Sequence, residues 1–173
     1  MKKVIMIGVV LTMLFMVGCS NHYFLSSSKN RKNAEAVGET IIDALNNQDA
    51  ELLKSVLSEK ALNTEDIDDS IAYCFELLDG NISSFEKYGF PESGSLDSEQ
   101  HKQSRIIEGN YKLITNSGNE YYLYFVYCAI QDFDETEVGV NLLRIRVIDG
   151  NEYKSLTEYG RAGIYNPKWD RED

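Results

Sequence analysis

Hydrophobic periodicity changes once along this chain of 173 residues, near Gly80. Ahead of that glycine, apolar residues recur at helical spacing; after it they alternate. Val37, Ile41, Ala44 and Leu45 fall at i, i+4, i+7 and i+8, the apolar stripe of an amphipathic helix. Asp49 stands where a carboxylate caps a short second helix carrying Leu52, Leu53, Val56 and Leu57. Thr64 is placed to cap a third, with Glu65 and Asp66 in the first turn, where the helix dipole favours negative charge. That helix aligns Ile67, Ile71, Cys74, Phe75 and Leu78, and Gly80 supplies a left-handed stop.

Beyond Gly80 the period is two. Residues 81–85 read as a short strand, and 86–104, with two glycines and Pro91, as a long loop. The alternation predicts strands over 105–115, 120–130 and 138–148. Asn116-Ser117-Gly118-Asn119 is a hairpin turn with glycine where positive φ is required, and Asp149-Gly150 a second turn leading to a last strand near 152–156. The expected fold is α+β, with three N-terminal helices packed on a curved antiparallel sheet.

An even turn of two or four residues sets Asn116 opposite Asn119. Leu113 then faces Tyr122, Tyr111 faces Tyr124, Gly109 faces Val126 and Ile107 faces Cys128. Opposite residues share a sheet face, so these side chains are assigned to the core with Leu143, Ile145 and Val147. Leu123, Phe125, Tyr127 and Leu142 then point outward beside Arg144 and Arg146, with Arg144 across from Phe125. An apolar patch rimmed by charge marks a surface for a second copy or another protein partner. The competing arrangement covers it with residues 160–169, Trp169 acting as the plug.

Catalytic chemistry is sparse. His22 and His101 are the two histidines, neither near a nucleophile, so no Ser/His/Asp or Cys/His set is expected. No His or Cys group has metal-ligand spacing, and no cofactor is implied. The acidic run Asp132-Phe133-Asp134-Glu135-Thr136-Glu137 lacks the glycine and spacing of a calcium loop and reads as a solvated hairpin tip. Tyr111, Tyr122 and Tyr124 could line a pocket, as in isomerase-type enzymes that use tyrosine and carboxylate groups; packing at the core edge with satisfied hydroxyls is the plainer alternative. Cys74 and Cys128 both fall on core positions, either as free thiols or as a disulfide.

The chain opens with Met1-Lys2-Lys3 and runs apolar from Val4 to Val17, interrupted by Gly8 and Thr12. This is the layout of a secretory signal peptide, and it is shorter than the ~20 residues of a spanning helix. Met16-Val17-Gly18-Cys19 resembles the lipobox of bacterial lipoproteins. The resemblance implies cleavage before Cys19 and acylation of its thiol, which anchors the chain to the extracytoplasmic face of the cell membrane. Residues 1–18 are then signal peptide, 19–33 a polar, serine-rich tether and 34–173 one domain. Loss of Lys2 and Lys3 takes the net charge from −11 to −13. So acidic a chain is unsuited to nucleic acid and is repelled by anionic lipid, which leaves the acyl chains to hold it at the membrane.

The stretch Glu39-Thr40-Ile41-Ile42-Asp43-Ala44-Leu45-Asn46-Asn47-Gln48-Asp49-Ala50-Glu51-Leu52-Leu53 resembles the opening helices of the nuclear-transport-factor-2-like (cystatin-like) cone fold. The ending Gly163-Ile164-Tyr165-Asn166-Pro167, with Tyr122-Leu123-Tyr124-Phe125 and Val138-Gly139-Val140 before it, resembles an uncharacterised bacterial lipoprotein family, domain of unknown function 5104. The resemblance spans residues 34–167. It implies a cone whose sheet and helices enclose a pocket and whose outer face dimerises, and it transfers no catalytic residue. The expected function is an anchored, non-enzymatic ligand- or protein-binding module, the alternative a small-pocket isomerase or dehydratase.

Overall fold

A computed structural model describes residues 28–148 and 161–165. Cys19, the strand expected near 152–156 and Trp169 lie outside the described residues.

Within the described residues helix α1 runs over 28–47 and so takes in 28–33, which the composition assigns to the tether. Asn30 and Ala34 are already buried there. The apolar stripe behaves as its spacing predicts: Ile41, Ala44 and Leu45 are buried and Val37 packs against them. Asp49 caps α2 (Ala50–Lys54), its Oδ1 accepting from the Leu52 amide at 2.9 Å. A further helix, α3 (Glu59–Leu62), escapes the periodicity because four residues are barely one turn; Ser58 caps it, its Oγ accepting from the Ala61 amide at 3.1 Å. Helix α4 (Ile67–Leu77) begins after Asp66, not at Thr64. The Thr64 hydroxyl instead donates back to the Ala61 carbonyl at 2.8 Å and closes α3. Ile71 and Cys74 carry the buried face of α4, and Gly80 takes the expected positive φ of 87°. Among the described residues there are thus four α-helices, not three.

Among the described residues the sheet has six antiparallel strands: β1 (Ile82–Gly89), β2 (Glu92–Asp97), β3 (Lys102–Thr115), β4 (Glu120–Gln131), β5 (Gly139–Ile148) and β6 (Arg161–Tyr165). Their order is β1-β3-β4-β5-β6, and β2 pairs with β3 further along the edge that β1 occupies. Most of the stretch expected as a loop is therefore strand. Pro91 sits at the break between β1 and β2, where its missing N–H costs no ladder bond, and its carbonyl accepts from the Glu108 amide at 3.0 Å. The polar ESGSLD of β2 carries no alternation that would reveal it.

The β3–β4 register departs from expectation by one residue. Thr115 donates its amide to the Asn119 carbonyl at 3.0 Å, and Gly118, at φ 87°, donates to the Thr115 carbonyl at 3.0 Å. The loop is thus the three residues 116–118, a hairpin type that uses a left-handed glycine. An odd loop shifts each pair by one, so Leu113 faces Tyr121, Tyr111 faces Leu123, Gly109 faces Phe125 and Ile107 faces Tyr127. Because side chains alternate, a slip of one turns a whole strand over. Leu123 and Phe125 lie in the core at 0% exposure, while Tyr122 and Tyr124 sit on the face opposite Tyr111. On β5, Leu143 and Ile145 are core as expected, opposite Phe125 and Leu123.

The centre of the core is aromatic. Tyr111 and Phe125 stack with centroids 6.3 Å apart, and Phe90 meets them edge-on at 5.6 and 6.5 Å. Two glycines make room. A Cβ on Gly109 would lie 2.2 Å from the Phe125 ring, which packs over that glycine, and one on Gly38 would lie 2.4 Å from the Tyr111 hydroxyl, so α1 sits close on Tyr111 because it has no side chain there.

Candidate binding groove

The expected tyrosine pocket does not assemble. Tyr111 lies fully buried beneath α1, its hydroxyl donating to the Glu35 carbonyl at 3.4 Å. Burial, reinforced by Glu39 and Glu35, raises its pKa and keeps it protonated. Tyr122 and Tyr124 are on the other face. The Tyr122 hydroxyl donates to Asn110 Oδ1, and Tyr124 is pushed up by burial and then by Glu108.

Nor does the expected partner surface survive as an apolar patch. Leu123 and Phe125 belong to the core, and Tyr127 is half-buried against it. Leu142 and Arg144 are buried on the outer face, Arg146 is partly so, and Arg144 lies across from Tyr124 instead of Phe125. Residues 161–165 add to the sheet as β6, pairing with β5, where the sequence offered them as a cover for its outer face. Cys74 and Cys128 are both buried and neither is in a disulfide, so that alternative falls; burial pushes the Cys74 thiol up to about 12.

The acidic run departs from the expected solvated tip at one end: Asp132, Phe133 and Glu135 are exposed, but Glu137 is buried and anchors a partly buried brace. A 3₁₀ turn (Glu135–Glu137) carries Glu137 into the interior at 0% exposure. Its Oε1 accepts from Lys60 Nζ at 2.9 Å and its Oε2 from Gln131 Nε2 at 3.1 Å. Lys60 also donates to Asp134 Oδ2 at 2.5 Å, which, with the Thr136 hydroxyl on the other oxygen, holds the Asp134 carboxyl down to about 2. Next to this pair Ser58 donates to Asn141 Oδ1 at 2.9 Å, and Asn141 Nδ2 donates to the Glu137 carbonyl at 2.6 Å. Leu57 and Val140 form a parallel bridge, with Ser58 N to Val140 O at 3.0 Å and Val140 N to Val56 O at 2.9 Å. A buried carboxylate is tolerable when paired and hydrogen-bonded, and here the lysine ammonium takes the position between two carboxylates that a cation would fill. Among the described residues no group of three or more His, Cys, Asp or Glu is gathered to hold a metal.

A groove of about 320 Å³ lies open between α1 and β1. Ile42, Ile82 and Phe85 give it apolar surface. Glu39, Asp43 and Asn46, at i, i+4 and i+7 on α1, form one wall, and Ser83 and Ser84 the other. Asn46 Oδ1 accepts from the Ile82 amide at 2.8 Å and pins the start of β1 to the helix. Lys87 reaches across to Glu39 at 2.8 Å and Glu35 at 3.7 Å. Phe85 is 40% exposed although Leu113, its neighbour on the same face, is fully covered. The lining combines carboxylates, hydroxyls, an amide and a half-covered aromatic ring. Sequence reading singled out none of these residues as a site.

Residues 40–155 match the family described as Domain of unknown function (DUF5104). The chain belongs to this family. No curated protein matches it in sequence. The matched span of this DUF5104 chain contains Ile42, Asp43 and Asn46 of the helix wall, all of β1 and the whole Lys60–Glu137 brace; Glu39 falls one residue outside it.

Proposed function

We propose that this DUF5104 protein is a membrane-anchored extracytoplasmic lipoprotein whose domain is a non-enzymatic binding module of the cone type. The observation that carries the reading is Met16-Val17-Gly18-Cys19 at the end of an apolar run too short to span a bilayer. Two acyl chains on one cysteine give stable anchoring where a single chain is marginal. Binding rather than catalysis is supported by the groove, whose lining carries no nucleophile–base pair, and by the buried carboxylate Glu137, which is engaged by Lys60 and Gln131 in the brace. In cells fed an alkyne fatty acid, the wild type is expected to take up label and sediment with membranes. Cys19→Ser is expected to lose the label and remain uncleaved. Equal labelling of the two proteins would remove the anchor from the proposal.

A further inference from the structure

We infer that the open edge of β1 beside the groove accepts a basic, extended peptide segment as an added strand. This deepens the binding-module reading and rests on it. Strand β1 pairs with β3 on one side, and no described strand pairs with its other side. Residues 83–88 are exposed on both faces, so α1 leaves this margin of the sheet uncovered. Natural edges are commonly guarded by bulges and by lysines that project over the edge. In β1 the irregularities lie at its ends, between Ile82 and Ser84 and between Lys87 and Gly89. Its lysine, Lys87, is folded back onto Glu39 and Glu35. Between them Ser84, Phe85, Glu86 and Lys87 stay in continuous register with β3, a regular run whose far side can template another strand. In that mode main-chain hydrogen bonds supply affinity and alternate side chains supply selectivity.

The groove accounts for the selectivity. A strand laid along β1 sends every second side chain toward the helix side, where Phe85 and Ile82 offer apolar contact and Asp43 and Glu39 stand at the rim. Covering the half-exposed Phe85 ring removes apolar surface from water. The charge selects the occupant. Lys87 offsets only part of the Glu35, Glu39 and Asp43 carboxylates, and the whole chain carries −11. A basic segment is attracted by that field, whereas a second copy of this chain would bring another −11 to the contact.

The test uses the full chain carrying Cys19→Ser in detergent, so that failure here leaves the acylation experiment untouched and the reverse. Three fluorescent peptides of about ten residues, a strand's length, are titrated by anisotropy: alternating Lys and Val, the same peptide with alternate amides N-methylated, and a Glu and Val counterpart. The Lys–Val peptide is expected to bind, more weakly as salt is raised. N-methylation, Glu for Lys, and the surface substitution Asp43→Lys should each weaken binding by about tenfold or more. Equal binding of the N-methylated peptide would overturn strand addition, and equal binding by Asp43→Lys would overturn the placement. Failure of the Lys–Val peptide to bind at millimolar concentration would overturn the whole inference.

Discussion

Asp134 shows how a single side chain reports on the brace. Its carboxyl is held at about 2 by Lys60 and Thr136, below the ordinary value of ~3.9. A group whose folded pKa is depressed contributes stability that is complete above the unfolded pKa and is lost as pH falls through the folded one. The denaturant midpoint of the wild type is therefore expected to drop between about pH 4 and pH 2, and Asp134→Asn to flatten that part of the curve. Identical slopes for the two proteins would mean that Lys60 does not hold Asp134 in solution. Nothing near Asp134 in the sequence announces this. Lys60 lies 74 residues away, and only the folding of α3 against the start of β5 brings it there. The same holds for Glu137, which reads as one more acid in a charged run until Lys60, Gln131 and Asn141 surround it.

At the level of elements, local signals were legible and loop parity was not. The α1 stripe, the Asp49 cap, the Gly80 stop and the β3–β4 hairpin all follow from spacing within a few residues. The hairpin register depends on whether the turn is odd or even, and Asn-Ser-Gly-Asn is compatible with both. The odd turn moved Leu123 and Phe125 from the surface to the core. Strand β2 was hidden for the opposite reason: as a polar edge strand it has no buried face to impose alternation. The register carries its own test. A Cβ on Gly109 would press within 2.2 Å of the Phe125 ring, which is held in place by Tyr111 and Phe90. Gly109→Ala is expected to cost about 1–3 kcal/mol as overpacking, and Phe125→Ala about 3–5 kcal/mol as a core cavity, both read from urea denaturation. With an even turn Phe125 would be a surface residue, and its truncation would fall within about 0.5 kcal/mol of the wild type.

The whole molecule is an assembly of distant parts, and for that reason its groove could not be read from the chain. Its two walls are joined by the bond between Asn46 and Ile82, 36 residues apart, and neither wall has a signature alone. A second joint, where Leu57 meets Val140, fastens the helical half to the sheet at the opposite end of α2. Gly139 makes that joint feasible: its φ is +119°, and a Cβ there would meet the Ser58 amide nitrogen at 2.8 Å, the Ser58 Cα at 2.9 Å and the Leu57 carbonyl carbon at 3.0 Å. All three are backbone atoms, which cannot rotate away as a side chain can. Gly139→Ala should therefore combine left-handed strain with a steric push on the bridge, for a loss of about 2–4 kcal/mol. The form of the transition tests more than its size. Because α1 is also seated on Tyr111 through Gly38, the helices and sheet share one core and should unfold together. Helical circular dichroism and the near-ultraviolet signal of the buried tyrosines are expected to give coincident urea curves in wild type and variant, both shifted equally to lower urea. Separation of the curves in Gly139→Ala alone would show the Leu57–Val140 joint to be what couples the halves. Separation in the wild type would show that helices and sheet are not one cooperative unit.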